Sequence, residues 1–344
     1  MLTVVDNSRA KKTGDSLQGA CLDSCLVEKL CCPACKGDLK DENGSAFVCT
    51  GCGRTHPIVD GIPDLVYYPE EEPGQSSFNN LQARYERDLE DYEALHDYED
   101  RVVKVYGDKT ELIATCWARV FQGPILDYGC GTGQLSRVLK RYHSPVYAFD
   151  ISRASICRNV QDNNVVAVAA NAFHLPFRDC CFETVCCNGV LHHIIDLGSA
   201  VKEMARVANR SIAISEPCTT SYHRTPWSAL RDPRELARAL LRATLLRALA
   251  LYQGLTLRRK SLISAGGKGS ASKYERPLDP QEVIELLEQA GFRVTLLRFW
   301  TNLSWKGRSR LKKVLTGMLV SSEVGSHFEI RAERFDKPRA VPYP

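Results

Sequence analysis

Residues Ile125 to Ser136 read ILDYGCGTGQLS, and Val146 to Ser152 follow as VYAFDIS. The apolar run from Pro124 to Tyr128 has the length and composition of a short buried strand. Glycines at 129, 131 and 133 let the backbone turn tightly beneath a ligand that a Cβ would exclude. Asp150 closes the next strand about 20 residues on, where a carboxylate can accept hydrogen bonds from both hydroxyls of a ribose. The pairing of a glycine-rich turn with an acid at the next strand end points to a nucleotide-like cofactor.

The glycine spacing separates two such cofactors. A dinucleotide fold needs G-x-G-x-x-G to seat a pyrophosphate on a helix N-terminus, and here the sixth position is Gln134. Asp127, two residues before the first glycine, would repel a pyrophosphate but suits a cationic ligand. The segment resembles motif I of the class I S-adenosylmethionine-dependent methyltransferases. The resemblance continues in order through ANAFHLPF (Ala170 to Phe177), CFETVCCNGVLHHI (Cys181 to Ile194), RSIAISEP (Arg210 to Pro217), the helix and strand of LDPQEVIELLEQAGFRVTLLRFW, and HFEIRAERF (His327 to Phe335). It implies a Rossmann-like α/β fold, a seven-stranded doubly wound sheet over residues 78–336. The branch it resembles most is that of quinone and small-molecule methyltransferases.

By that resemblance Asp127 and the backbone of Gly129, Cys130, Gly131 and Gly133 hold the methionine end of S-adenosylmethionine. Asp150 holds the ribose, and Ile151 covers a face of the adenine. Asn171 and Ala172 occupy the place where the family often has Asp-Ala reading the adenine amino edge, and the Asn171 carbonyl can still accept from that amine. Asn188 ends the fourth strand at the carboxyl edge, where open α/β sheets bind ligands. His192 and His193 follow it as candidates for a catalytic base, since a neutral imidazole can take a proton near pH 7. Glu216, before Pro217, is a weaker candidate at the same edge.

A second motif stands at the front. CPAC (Cys32 to Cys35) and CTGC (Cys49 to Cys52) are two C-x-x-C knuckles separated by thirteen residues. Four thiolates at Cys32, Cys35, Cys49 and Cys52 can surround one tetrahedral structural Zn²⁺, and a module of about 40 residues has too small a core to fold readily without such a staple. The following GRTHPIVDGIPDLV resembles small bacterial zinc-ribbon proteins, with His56 in place of their usual tyrosine. Such ribbons occur fused to methyltransferases and as partners of RNA- or protein-modifying ones. The resemblance therefore raises RNA as an alternative acceptor.

The remaining organisation follows from composition. Residues 1–27 read as a polar tail, 28–68 as the zinc ribbon, 69–77 as a linker and 337–344 as a second tail. An insertion over about 218–273 reads as a substrate cap. Within it Arg231, Arg234, Arg238 and Arg242 share one arc of a helix whose other side is rich in leucine, and basic residues continue to Lys260. That basic helix over 231–260 can pack on the domain, lie against an anionic membrane as a peripheral contact, or approach RNA.

A net charge of +4 on 344 residues does not by itself diagnose a nucleic-acid partner. No transmembrane run or signal-peptide core is read, so the expectation is a cytoplasmic protein, with peripheral membrane contact through the basic helix as the variant of that reading. Of fifteen cysteines, none follows Cys218, and Cys180, Cys181, Cys186 and Cys187 fall in apolar strands as core thiols. The functional expectation is methyl transfer to a small or lipophilic metabolite. The alternatives are an rRNA or tRNA methyltransferase that uses the ribbon for recognition, and a non-catalytic cofactor-binding scaffold.

Overall fold

The computed structural model describes residues 24–70, 80, 110–218, 276–300 and 327–335. The 231–260 basic helix, nearly all of the proposed cap, and most of the proposed linker lie outside them. Seven strands form the main sheet: β5 (Ile125–Tyr128), β6 (Val146–Asp150), β7 (Val166–Ala169), β8 (Phe182–Asn188), β9 (Ala208–Pro217), β10 (Phe292–Trp300) and β11 (His327–Arg334). Their order is β10-β11-β9-β8-β5-β6-β7. Neighbours from β7 to β9 are parallel, and β11 lies antiparallel between β9 and β10. This is the seven-stranded class I methyltransferase topology that the motif order implied.

Both faces of the sheet are covered, and the strands alternate between them as a period of two requires. Ile125, Val146, Ala148, Cys186 and Ala213 pack on one face; Leu126, Tyr147, Phe149, Val185 and Ile214 pack on the other. Cys186 and Cys187 are therefore core residues of β8, as composition suggested, whereas Cys180 and Cys181 are buried just before that strand rather than within it. Helices α2 (Gln134–Leu139), α3 (Arg153–Asn163), α4 (Leu197–Val207) and α5 (Pro280–Gln289) fill the crossovers. Polar caps set three of their starts: Ser152 accepts from Ser155 N–H, Asp196 from Ser199 N–H, and Asp279 from Gln281 N–H, with Pro280 in the first turn.

At the front, β1 (Leu39–Glu42), β2 (Ala46–Cys49), β3 (Thr55–Val59) and β4 (Ile62–Pro63) make a four-stranded antiparallel meander. A short helix, α1 (Ser24–Val27), precedes it. The expected tail thus stops short of residue 27, because Leu26 is buried in the main core.

The module is docked on the sheet rather than tethered to it. Leu30 bridges Phe177 in antiparallel fashion, with Cys31 N–H donating to the Pro176 carbonyl at 2.9 Å and Arg178 N–H to the Lys29 carbonyl at 2.8 Å. Lys36 donates to the Leu175 carbonyl at 2.9 Å and pairs with Glu203 at 3.3 Å, and Arg178 pairs with Asp38 at 2.7 Å. Leu30, Phe47 and Leu65 belong to the same apolar cluster as Phe149, Phe177 and Phe182. Burying each such side chain is worth roughly 1.5–3 kcal/mol, so shared packing outweighs the partly exposed ion pairs at this junction.

Candidate active site and metal centre

The turn after β5 is built around backbone that only glycine tolerates. Gly129, Gly131 and Gly133 all have positive φ. A Cβ on Gly129 would lie 2.6 Å from Val190 Cγ1, and one on Gly133 would lie 2.1 Å from Asn159 Oδ1. A Cβ on Gly131 would meet no atom of the described residues within 4 Å, so packing among them does not explain that glycine. Asp150 ties this turn to β6. Its Oδ2 accepts Gly131 N–H at 2.8 Å, and its Oδ1 accepts Ser152 N–H at 2.9 Å. A carboxylate has lone pairs for further donors at that position.

Asp127 is placed differently from a ligand-facing acid. It is 2% exposed and accepts the Ser136 hydroxyl at 2.5 Å. Asn159 donates to Ser136 Oγ at 3.1 Å, and Asn163 donates to Asn159 at 2.9 Å. Burial lifts the Asp127 carboxyl to about 7, against the lowering effect of the Ser136 bonds. Asp127 therefore anchors the start of α2 and the path to α3 beneath the glycine turn. The expected contact with the methionine end is not made by an exposed carboxylate. Ser136 and Asn159, which complete this chain of hydrogen bonds, carried no motif signal.

Asn171 is also held by protein groups. Its amide donates to the Tyr67 carbonyl at 3.0 Å, and its Oδ1 accepts Phe173 N–H at 3.0 Å. Both ends of the amide are engaged in fixing the loop after β7, one of them by the segment that leaves the metal module. Ala172 packs against the main core beside it, and Ile151 is half-buried at the end of β6.

Asn188 ends β8 at the carboxyl edge, and its Oδ1 is buried without a hydrogen-bond partner among the described residues. A buried orphan acceptor is costly, by about 1–3 kcal/mol, and points to a donor brought by a ligand. Beyond it, a turn of 3₁₀ helix over Leu191–His193 stacks the two histidine rings with centroids 3.9 Å apart.

The two histidines differ in chemistry. His192 Nδ1 is 2.7 Å from Glu216 Oε2. Burial pushes Glu216 upward, but the His192 imidazole and the main-chain N–H groups of Val190 and Leu191 outweigh it and hold the carboxyl below its usual range. His193 is pushed down to about 4 by burial and by His192. Its conjugate acid is too strong for it to serve as a base near neutrality, which leaves His192 as the better-placed member of the pair.

The four knuckle cysteines do converge. All their sulfurs lie within 4.8 Å of one another, with Cys35 to Cys49 at 3.4 Å and Cys32 to Cys52 at 3.7 Å. A tetrahedral ion with Zn–S bonds near 2.3 Å needs sulfurs about 3.8 Å apart, so the donor set and spacing fit Zn²⁺. Gly51 and Cys52 N–H groups point at Cys49 Sγ, both at 3.4 Å, as expected where the backbone stabilises a thiolate. Cys31 is buried at the domain junction and is not part of this group. A cleft of about 550 Å³ at the amino edge, between α4 and α5, is lined by Lys202, Arg206, Gln289 and Arg334 and lies away from all of these groups.

Comparison with known proteins agrees with this division. A family model described as Trm112p-like protein matches residues 23–61, and one described as Methyltransferase domain matches residues 126–211. A UPF0434 protein of Hahella chejuensis is 49% identical over 46 residues, 13% of this chain and 77% of that protein. Through this module the chain belongs to the UPF0434 family. Its larger part has the class I methyltransferase fold, as the strand order establishes. The probable tRNA methyltransferase 9B of Homo sapiens is 31% identical over 132 residues, 34% of this chain and 28% of that protein. The chain thus spans little more than a quarter of that relative. A solved complex of the Haloferax volcanii Trm112 methyltransferase activator with a methyltransferase overlays 73% of this chain and 97% of that one, with a TM-score of 0.45 and 13% identity.

Proposed function

We propose that this chain is an S-adenosylmethionine-dependent methyltransferase that modifies RNA, with tRNA as the first acceptor class. The observation that carries the donor assignment is the conjunction at the carboxyl edge. There the Asp150 carboxylate is fixed on Gly131 N–H, Gly131 has room on its Cα, and the Asn188 Oδ1 is a buried acceptor awaiting a donor. S-adenosylmethionine supplies an activated methyl group on a sulfonium. Asp150 would accept its ribose hydroxyls, the bare turn from Gly129 to Gly133 would admit its methionine end, and Asn188 would accept from its ammonium. His192 would take a proton from the acceptor, and the sheet edge would align acceptor and methyl while excluding water.

The acceptor assignment rests on two findings that support the same class. A Trm112p-like segment is in the chain, and a probable tRNA methyltransferase is similar to 34% of it. They favour RNA over the small or lipophilic metabolite expected from the motifs alone. The front module is read as a zinc ribbon with all four ligands saturated, so it supports and recognises rather than reacts. Among the described residues no helix is long and apolar enough to cross a membrane.

The test is incubation of the zinc-loaded protein with methyl-labelled S-adenosylmethionine and separate tRNA, rRNA, protein and lipid fractions. Label in tRNA is the expected result. Label confined to lipids or small molecules would restore the first expectation. Donor binding without transfer to any fraction would support the non-catalytic scaffold.

A further inference from the structure

Glu216, at the carboxyl end of β9, has no exposed surface. Its Oε1 accepts Val190 N–H at 2.8 Å and Leu191 N–H at 2.9 Å, with the Cys187 thiol at 3.6 Å. Its Oε2 accepts His192 Nδ1 at 2.7 Å and lies 3.4 Å from His192 N–H. Burying a carboxylate costs several kcal/mol unless its lone pairs are filled, and these donors fill them. Two main-chain bonds on one oxygen would suffice to pin the turn. The second oxygen is given to an imidazole.

An ionised carboxylate only accepts, so the shared proton belongs to the ring: Nδ1 carries hydrogen and Nε2 carries the lone pair in the neutral imidazole. The ring is next to the bare end of β8. A Cβ on Gly189 would come 3.9 Å from His192 Cε1, and Val190 covers Gly129 of the cofactor turn from the other side. Glu216 on β9, with Cys187 of β8 against its other oxygen, and the stacked His193 face His192. Arg276 contributes its main-chain N–H to the His192 carbonyl at 2.8 Å, while its side chain pairs with Glu282.

We propose that Glu216 is a positioning residue that fixes His192 in the Nδ1–H tautomer, so that Nε2 takes the proton released by the methyl acceptor. This rests on the reading of the chain as a methyltransferase and deepens it. The acceptor atom is then one that bears a proton, a hydroxyl, an amine or a ring N–H, rather than a carboxylate. In the step, the acceptor lone pair forms the bond to the methyl carbon, and the carbon–sulfur bond breaks with its electron pair going to sulfur. The acceptor proton moves to His192 Nε2. The imidazolium so formed lies against the Glu216 anion and later gives its proton to solvent.

The test compares wild type, Glu216→Gln, His192→Asn and the double variant in the full zinc-loaded chain. Three readouts are used: calorimetric binding of S-adenosylmethionine, the pH profile of kcat on unfractionated tRNA, and ¹⁵N-histidine NMR of His192. Both single variants should bind the donor as wild type does, yet lose about 100-fold or more in kcat, with the double variant no slower than either single. In Glu216→Gln the carboxamide can donate as well as accept, so the spectrum should no longer show the ring held in the Nδ1–H form.

A wild-type kcat with an unchanged ring tautomer in Glu216→Gln would overturn the proposal, as would a wild-type kcat in His192→Asn. If the wild type binds donor but labels no tRNA, the acceptor reading fails on its own, and the spectrum still decides this inference: a His192 protonated on Nε2 instead of Nδ1 overturns it. That spectrum needs no variant, so a Glu216→Gln chain that fails to fold leaves the test intact.

Discussion

Leu65 donates its main-chain N–H to the Ala169 carbonyl at 2.9 Å, and Asp64 pairs with Ala169 in parallel, so the segment leaving the metal module runs beside the last residue of β7. Two residues on, the Tyr67 carbonyl holds Asn171. Asp60, in the turn before β4, pairs with Arg153 at the start of α3. The module therefore touches the loops that follow β6 and β7. It also lends Leu30, Phe47 and Leu65 to the main core, so module and sheet should fold as one cooperative unit.

Metal removal tests that unity. Chelation, or Cys49→Ser, should lower the melting temperature of the whole chain in a single transition, by roughly 2–4 °C for each kcal/mol lost. Metal analysis should read one zinc per chain before treatment and a loss in parallel with melting. A chain that keeps its melting temperature after losing its zinc would show that the docking needs no metal.

Asp150→Ala should weaken binding of S-adenosylmethionine by about tenfold or more, since hydrogen bonds to a charged group are worth about 1.5–3 kcal/mol each. Asp150→Asn should fall between the two, because one oxygen remains to accept. Calorimetry reads the affinity and thermal melting checks the fold. Unchanged affinity in the alanine variant would remove the ribose assignment.

Two glycines of the same turn should fail in different ways. Gly133→Ala puts a Cβ 2.1 Å from Asn159 Oδ1 and breaks the bonds that run through Ser136 to Asp127, so it should destabilise the protein. Among the described residues Gly131→Ala meets no neighbour within 4 Å, and it bears the strain of its positive φ, on the order of 1–2 kcal/mol. It should melt close to wild type and yet bind the donor poorly. Equal donor affinity in Gly131→Ala and wild type would argue against close approach of the ligand to that backbone.

What could be read from the sequence was what chemistry makes local. The glycine turn, the acid at the end of β6 and the cysteine knuckles each declare themselves within a few residues, and strand order followed from motifs taken in sequence. Pairings set by sheet register were not readable. Asn188 lies opposite Ser215, which brings Glu216 beside the residues after β8, and nothing in either segment alone names the other. The docking face of the module was hidden for a related reason: Leu30, Phe47 and Leu65 read equally well as a small private core. The bond from the Asn171 amide to Tyr67, over a hundred residues earlier, was equally unreadable from either segment.

Asp127 gives a pH signature that depends on no ligand. In the unfolded chain the carboxyl ionises near 4, while burial in the folded chain lifts it to about 7. The native state thus holds an extra proton across that interval. The stability associated with the neutral carboxyl is fully present below pH 4 and is lost as pH rises through about 7. Asp127→Asn keeps the shape and cannot ionise. Its melting temperature should exceed that of wild type at pH 8, with the gap closing toward pH 5, and the full span should correspond to a few kcal/mol. Parallel thermal scans of the ligand-free proteins from pH 5 to 8 measure this difference directly, and a gap independent of pH would mean that the carboxylate is already ionised and satisfied by Ser136 at pH 5.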